Sequence, residues 1–124
     1  MKIYRCEKCG KMIAVIKSSP CDTFCCGEPM KELVANTTEA AFEKHIPAVS
    51  VDGNIVNVVV GDVEHPMLEA HYIEWIMLET KQGRQRKTLA PGEAPKASFA
   101  LVDGDEAVAA YEYCNLHGLW KKEI

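Results

Sequence analysis

Cysteine and histidine are the residue types through which this sequence can do chemistry, and they fall into two separate groups. Four of the six cysteines form one pattern, Cys6-x-x-Cys9 followed by the adjacent pair Cys25-Cys26. Two thiolates three residues apart can bind one metal ion from a tight turn, and a glycine follows each pair. The pattern predicts a four-thiolate site for zinc or a single iron, and its spacing leaves that choice open. The nearby Cys21 is interpreted as a spectator thiol, with an alternate ligand or redox thiol as the other possibility.

The second group contains every histidine of the chain together with one isolated cysteine: His45, His65, His71, Cys114 and His117. Five nitrogen and sulfur donors do not make a closed zinc tetrahedron. They favour a square pyramid, with four imidazoles in a plane, a thiolate on the axis and an open sixth position. A redox-active first-row metal, iron above all, suits such a site, and the thiolate would push electron density towards a molecule bound opposite it. A zinc ion held by Cys114, His117 and two other ligands stays open as an alternative.

Charge and hydropathy exclude several classes of partner. The 124 residues carry a net charge of −4 without a run of Lys or Arg, which argues against nucleic acid. An anionic substrate would need local positive charge near the site. No apolar run approaches the roughly 20 residues that cross a bilayer, and the N-terminus lacks an apolar signal region. We therefore expect a cytoplasmic protein without membrane contact, whose cysteines are reduced thiols.

The elements that must position these groups differ between the two parts of the chain. Residues 1–35 are rich in cysteine and short of large apolar side chains, so a metal would have to hold them together. Residues 36–124 contain β-branched and aromatic runs at 55–60, 72–79 and 97–102, separated by turn signals. This predicts a mainly β protein whose larger part is an antiparallel sandwich of about seven strands.

Two segments of the larger part are harder to assign. Residues 107–114 combine alanines that favour a helix with Val108, Tyr111 and Tyr113, which favour a strand. Asn36 followed by Glu39 has the spacing of a helix start, and Pro47 would end that helix. The second pattern predicts a short helical connector into the main domain.

Taken together, the motifs resemble the desulfoferrodoxin family over essentially the whole chain. The resemblance is carried by the cysteine pattern and by Glu43-Lys44-His45-Ile46-Pro47, His65-Pro66-Met67, His71-Tyr72-Ile73 and Cys114-Asn115-Leu116-His117-Gly118. It implies a desulforedoxin-like module over residues 1–35 with an Fe(Cys)4 centre. It also implies an immunoglobulin-like β-sandwich over residues 36–124 with an Fe(His)4(Cys) centre, and a homodimer. Cys21 departs from the family's four-cysteine module.

The activity that this resemblance implies is superoxide reduction, in which one electron converts superoxide to hydrogen peroxide. The electrons would come from an external donor, usually rubredoxin in this family. Lys44 would attract superoxide and hydrogen-bond the product, and Glu43 would close the open position of the ferric iron after product leaves. From the sequence alone, both residues also fit ordinary solvated charges.

Three other functions remain open at this point. The chain could be a non-catalytic electron-transfer protein with two irons, a structural zinc-binding module, or a dismutase. A coordinatively saturated second iron would favour electron transfer, a colourless protein would favour zinc, and oxygen evolution from superoxide would favour a dismutase.

Overall fold

Almost all of the regular structure is antiparallel β-strand, and the computed structural model describes residues 1–124. The chain divides into two compact units, Met1–Val34 and Ala35–Ile124. The mainly β class and the antiparallel sheets that the sequence predicts are confirmed. The only helix has four residues, so no helical segment is long and apolar enough to cross a bilayer.

The first unit consists of five very short strands. A three-stranded sheet has the order β2-β1-β5, and β3 pairs with β4 in a separate hairpin. Only Ile3, Cys6 and Met30 are buried in this unit. So small a core supplies little hydrophobic stabilisation, as the sequence indicates, and makes a bound metal the natural source of the rest. The strands are β1 Ile3–Arg5, β2 Met12–Ala14, β3 Phe24–Cys25, β4 Glu28–Pro29 and β5 Lys31–Glu32.

The second unit is a sandwich of seven strands in two antiparallel sheets, with orders β10-β7-β6 and β12-β11-β8-β9. Its core lies between the sheets and draws residues from both. The ambiguous segment 107–114 is a strand. The elements are α1 Phe42–His45, β6 Pro47–Asp52, β7 Ile55–Val60, β8 Ile73–Thr80, β9 Arg84–Thr88, β10 Lys96–Ala100, β11 Ala107–Cys114 and β12 Gly118–Glu123.

Alternation along the strands explains this core. Val56, Val58 and Val60 of β7 are fully buried, while the residues between them face outwards. Burying each valine contributes about 1.5–3 kcal/mol relative to exposure. Strand β8 is buried on both faces, because Trp75 on its outer side stacks against Tyr113 of β11 at 5.8 Å between ring centroids. The sandwich therefore gives rigid strand ends to the loops at its edges.

The predicted helix start at Asn36 is wrong. Asn36 has a left-handed backbone, with φ of 63°, and its side chain binds the edge of β12. The N–H of Lys121 donates to Asn36 Oδ1 at 2.8 Å, and Asn36 Nδ2 donates to the Lys121 carbonyl at 3.1 Å. The amide thus pairs with an edge strand 85 residues away instead of capping a local helix, and the helix begins only at Phe42.

Candidate metal centres

The four-cysteine pattern forms a cluster in the first unit, where the sulfurs of Cys6, Cys9, Cys25 and Cys26 all lie within 4.8 Å of one another. Cys9 Sγ lies 3.7 Å from Cys25 Sγ, and Cys25 Sγ lies 4.0 Å from Cys26 Sγ. A tetrahedron with metal–sulfur bonds of about 2.3 Å has edges of about 3.8 Å. All six cysteines are free of disulfides. The sulfurs therefore fit one tetrahedrally bound ion.

Backbone turns bring these sulfurs together. The Cys6 carbonyl accepts the N–H of Gly10 at 2.9 Å, which closes the first turn. The adjacent pair is accommodated by Cys26, whose φ of 53° is rare for a residue other than glycine. This left-handed residue costs about 1–2 kcal/mol.

The electrostatics of this cluster favour a bound cation. The backbone N–H of Cys9 lowers the pKa of the Cys6 thiol to about 6. Hydrogen bonding with the Cys9 side chain and the other crowded sulfurs raises the pKa of Cys26 to about 12. The four thiols cannot all ionise side by side, because like charges repel, and a bound metal ion removes that repulsion. Cys21 lies outside the cluster, exposed, with its N–H 3.4 Å from Ser19 Oγ.

A second cluster lies at one end of the sandwich and contains the five remaining predicted ligands, His45, His65, His71, Cys114 and His117. Their segments meet there because antiparallel strands alternate in direction. The site lies where β6, β8 and β12 begin and where β7 and β11 end. The donor atoms of the five side chains all lie within 4.8 Å of one another.

The four imidazoles are arranged as a square. Going round the cluster from His45 through His65, His71 and His117, neighbouring ring centroids lie 4.7, 4.6, 4.9 and 4.8 Å apart. His45 and His71 lie across the diagonal at 6.4 Å. His45 Nε2 is 3.2 Å from His65 Nε2 and 3.1 Å from His117 Nδ1. Neighbouring nitrogens about 2.1 Å from one ion would be about 3.0 Å apart, so this square fits a single metal ion.

Hydrogen bonds fix which nitrogen of two rings faces the centre. His45 Nδ1 lies 2.8 Å from the Ala41 carbonyl, and His65 Nδ1 lies 2.7 Å from the Pro66 carbonyl. A carbonyl only accepts, so each Nδ1 carries the proton and each Nε2 presents its lone pair to the metal position. His71 Nε2 is buried without any hydrogen-bond partner. A buried, unpaired ring nitrogen aimed at this cluster is what a missing metal bond would leave.

Burial keeps these imidazoles in their neutral, ligating form. Burial lowers the pKa of His65 to about 4 and also lowers the pKa of His45 and His71. Cys114 is fully buried, and burial raises the pKa of its thiol. His117 presents Nδ1, and this atom lies 3.8 Å from Cys114 Sγ. Burial thus favours the neutral form of three of the four imidazoles, and the buried Cys114 thiol needs a cation to ionise.

Trp120 contacts two of the ligating residues, His45 and His117. It is fully buried, stacks on His45 with ring centroids 4.9 Å apart, and donates from Nε1 to the His117 carbonyl at 3.1 Å. Phe42 meets it edge-on at 5.1 Å. The sequence analysis missed Trp120, although its place three residues after His117 was the signal that could have found it.

The two predicted catalytic residues lie on the helical turn that ends at His45. Glu43 and Lys44 are both exposed there. After burial and the neighbouring histidines, the positive charge of Lys44 is the last of the causes that lower the pKa of His45 and His71. The Glu43 carbonyl accepts the N–H of Val63 at 3.1 Å, which ties this turn to the loop that carries His65.

Glu112 is a buried acid that the sequence analysis also missed. It lies two residues before Cys114 on the same strand, is fully buried, and has no hydrogen-bond partner on either carboxylate oxygen. Burial raises its pKa well above the usual value, which favours the neutral carboxylic acid. A glutamate between two tyrosines in an apolar strand was the available signal.

Comparison with known proteins agrees with both clusters. Residues 1–33 match the family model of the desulfoferrodoxin N-terminal domain, and residues 37–123 match the desulfoferrodoxin model. The desulfoferrodoxin of Nitratidesulfovibrio vulgaris is 46% identical over 122 residues, covering 98% of this chain and 95% of that protein. The desulfoferrodoxin homolog of Archaeoglobus fulgidus is 44% identical over 121 residues, with 98% and 95% covered.

Solved structures extend the likeness to the fold. The superoxide reductase from Treponema pallidum matches with a TM-score of 0.81 and 40% identity, over 92% of this chain and 93% of that chain. The superoxide reductase from Giardia intestinalis matches with a TM-score of 0.58 and 36% identity, over 66% of this chain and 97% of that one. Because the two family models match in order and each contains one of the metal-ligand clusters, this chain belongs to the desulfoferrodoxin family.

Proposed function

We propose that this chain is a superoxide reductase that converts superoxide to hydrogen peroxide at an iron held by His45, His65, His71, His117 and Cys114. The observation that carries the proposal is the square of four imidazoles with the Cys114 sulfur beside it. Five ligands leave one octahedral position free, which a structural zinc site would not. Iron bound by these five side chains would supply the electron that, together with two protons, converts superoxide to hydrogen peroxide.

The protein's own groups have three tasks in this reaction. Burial lowers the pKa of His45, His65 and His71, which favours the neutral, metal-binding form of these three imidazoles. The Cys114 thiolate would donate electron density to a metal ion bound there. Lys44 supplies positive charge close to the histidines of an otherwise acidic chain, where it attracts an anionic substrate.

Replacing Lys44 with alanine should slow the reaction with superoxide about tenfold at low salt, because local charge raises the rate of anion encounter. The second-order rate constant should also lose most of its dependence on ionic strength. Pulse radiolysis over a salt series measures both effects. Lys96→Ala, a charge change on the exposed side of β10, is the control and should keep the wild-type salt dependence. An unchanged rate and salt slope in Lys44→Ala would remove the steering role.

Glu43 is proposed to close the open metal position in the oxidised resting state. It is exposed on the same turn as His45, two residues before it. Glu43→Ala should therefore leave the reduction of superoxide fast while it shifts the visible absorption of the resting ferric site. Glu64→Ala, which removes the exposed acid just before His65, is the matched control. Identical spectra for wild type and Glu43→Ala would mean that this carboxylate never binds the metal.

Product analysis tests the function itself. With an electron donor present, a reductase yields one hydrogen peroxide per superoxide and evolves no oxygen, whereas a dismutase evolves oxygen without a donor. A two-iron electron carrier would oxidise and reduce without consuming superoxide. The zinc-loaded protein should be colourless and inactive. Oxygen evolution, or absence of superoxide consumption by the iron-loaded protein, would refute the proposal.

The donor is proposed to be a small electron-carrier protein such as rubredoxin. Four apolar side chains within three residues of a ligating histidine are unusually exposed, which supports protein docking at this end of the sandwich. They are Phe42, Val63, Leu68 and Leu116, with exposed fractions of 54%, 51%, 67% and 58%. Stopped-flow mixing of the oxidised chain with reduced rubredoxin would measure whether electrons arrive at a useful rate.

The remaining organisation is also a proposal. Residues 1–35 would act as the desulforedoxin-like module and residues 36–124 as the catalytic domain, supported by the division at Val34 and by family models that end at 33 and begin at 37. We further propose that the chain is located in the cytoplasm, in keeping with six cysteines free of disulfides. We also propose that it forms a homodimer. Analytical ultracentrifugation of the metal-loaded chain tests the dimer.

A further inference from the structure

We propose that Asn115 is a positioning residue for His71, whose side chain holds the backbone on both sides of that histidine and so sets the direction of its ring. This inference depends on the ligand set of the proposed function. It concerns how one member of that set is kept in place.

His71 differs from the other ligating histidines in how its ring is supported. Backbone carbonyls hold the Nδ1 atoms of His45 and His65, at 2.8 and 2.7 Å. His117 follows Cys114 in one tight turn, and Trp120 binds its carbonyl. No group of this chain hydrogen-bonds a ring nitrogen of His71, and its Nε2 is buried. Besides its packing against the neighbouring imidazoles, the position of this ring therefore depends on its own backbone.

Asn115 supplies that backbone constraint with one side chain. Its Oδ1 accepts the N–H of Tyr72 at 2.9 Å, and its Nδ2 donates to the Ala70 carbonyl at 3.1 Å. Its own N–H donates to the Tyr72 carbonyl at 3.2 Å. The residues immediately before and after His71 are thus both bound by the same amide.

We call the hydrogen bonds from Asn115 to Ala70 and Tyr72 the Asn115 clamp, and its place in the chain joins two ligand segments. Asn115 directly follows Cys114, so the clamp links the turn of the sulfur ligand to the segment of the His71 ligand. That segment needs a constraint, because β8 begins only at Ile73 and His71 makes just an isolated bridge with Leu68. A ligand on an irregular segment keeps its geometry only if neighbouring groups hold it.

The chemistry also requires asparagine. An amide both accepts and donates, whereas a carboxylate only accepts. Asn115→Asp would keep the bond to the Tyr72 N–H and set an oxygen against the Ala70 carbonyl. Asn115→Ala would lose both side-chain bonds. We expect ferrous affinity of the histidine site to fall about 10–100-fold in either variant, the usual effect of losing a group that orients a ligand.

The test titrates the full chain anaerobically with ferrous iron against a chelator and records the visible spectrum after oxidation. We expect weaker iron binding and a shifted thiolate band at the histidine site, with the four-cysteine spectrum and the urea midpoint of the metal-free protein unchanged. Asn54→Asp is the matched control, because Asn54 makes one side-chain bond to the Leu101 carbonyl in the β6–β7 hairpin, away from the cluster.

A double-mutant cycle separates positioning from a general structural role. In a His71→Ala background, Asn115→Asp should cause no further loss of iron affinity, since the clamp then has no ligand to orient. Three results would each overturn the inference. The losses in the double mutant could be additive, or both Asn115 variants could keep the wild-type affinity and spectrum. The metal-free Asn115 variants could also lose enough stability, seen as a lower urea midpoint, to account for the whole loss of iron affinity. If the wild-type site itself binds no iron, the proposed function fails; if it binds and the variants match it, only this inference fails.

Discussion

Replacing Cys114 with serine should abolish the visible thiolate absorption of the histidine site and lower the rate of superoxide reduction at least about 100-fold. Removing a group that merely orients a metal ligand costs 10–100-fold, so removing the ligand itself should cost more. Serine keeps the shape of the side chain, but its hydroxyl does not ionise near neutral pH. The four imidazoles can still hold a metal ion, which makes the loss specific to the sulfur.

The structure explains why no neighbouring group can replace this sulfur. Cys114 is fully buried at the end of β11, and Glu112, the acidic side chain nearest to it on that strand, is not among the side chains whose donor atoms cluster at the site. Cys21 lies in the other unit and outside both clusters. A serine variant therefore has no alternative thiolate or carboxylate ready to bind.

Visible spectra and pulse radiolysis of the iron-loaded variant check this expectation. Cys21→Ser is the control for loss of a cysteine and should keep both the spectrum and the rate. The four-cysteine absorption should survive in both variants, which shows that the chains are folded and loaded. A Cys114→Ser protein with a wild-type band would mean that this sulfur does not bind the metal.

Gly61→Ala should destabilise the second unit by about 2–5 kcal/mol and weaken the histidine site at the same time. Gly61 has a φ of 82°, which costs a residue with a side chain about 1–2 kcal/mol. A Cβ there would also lie 2.5 Å from the Val63 carbonyl oxygen and 2.6 Å from the Lys44 carbonyl oxygen. Such a clash with backbone adds about 1–3 kcal/mol, because neither carbonyl can move away freely.

The consequence for the site follows from what lies against Gly61. Its N–H donates to the Ile46 carbonyl at 3.2 Å, and the Val63 N–H donates to the Glu43 carbonyl at 3.1 Å. These bonds fasten the turn that carries His45 to the loop that carries His65. Pushing Gly61 away from Lys44 should separate the two imidazoles, whose Nε2 atoms are 3.2 Å apart.

Urea unfolding of metal-free and iron-loaded protein measures both parts of this prediction. Gly53→Ala is a matched control, because Gly53 also has a positive φ, 60°, but a Cβ there would meet nothing within 4 Å. Gly53→Ala should lose only the stability of about 1–2 kcal/mol that a positive φ costs a residue with a side chain, and it should keep full iron affinity. Equal losses in the two variants would show that the close approach at Gly61 has no effect of its own.

The ligand sets of both metal sites were accessible from the sequence because they depend on residue type. Only cysteine and histidine provide these donors, the chain has few of either, and the spacing at Cys6-x-x-Cys9 and Cys114-x-x-His117 is local. The strands were accessible for a similar reason. Burial alternates with a period of two residues along β7, and β-branched side chains follow that period directly in the sequence.

Asn36 shows where local patterns failed. Its spacing to Glu39 favours a helix cap, but the amide instead pairs with Lys121 in the edge of β12. Hydrogen bonds to a strand that folds from the far end of the chain outweighed a weak local preference. Asn115 is a second case in which distant partners decide what a side chain does. It lies in a recognisable motif, but the partners of its amide, Ala70 and Tyr72, are over 40 residues away.

The tertiary structure alone decided the order of the histidines round the square, the ring nitrogen that each presents, and the contact that only a glycine at position 61 permits. Each of these depends on distances between segments that are remote in the chain, and such distances are set by how the strands pair and pack. Residue type fixes which atoms can bind a metal, and packing fixes where those atoms meet.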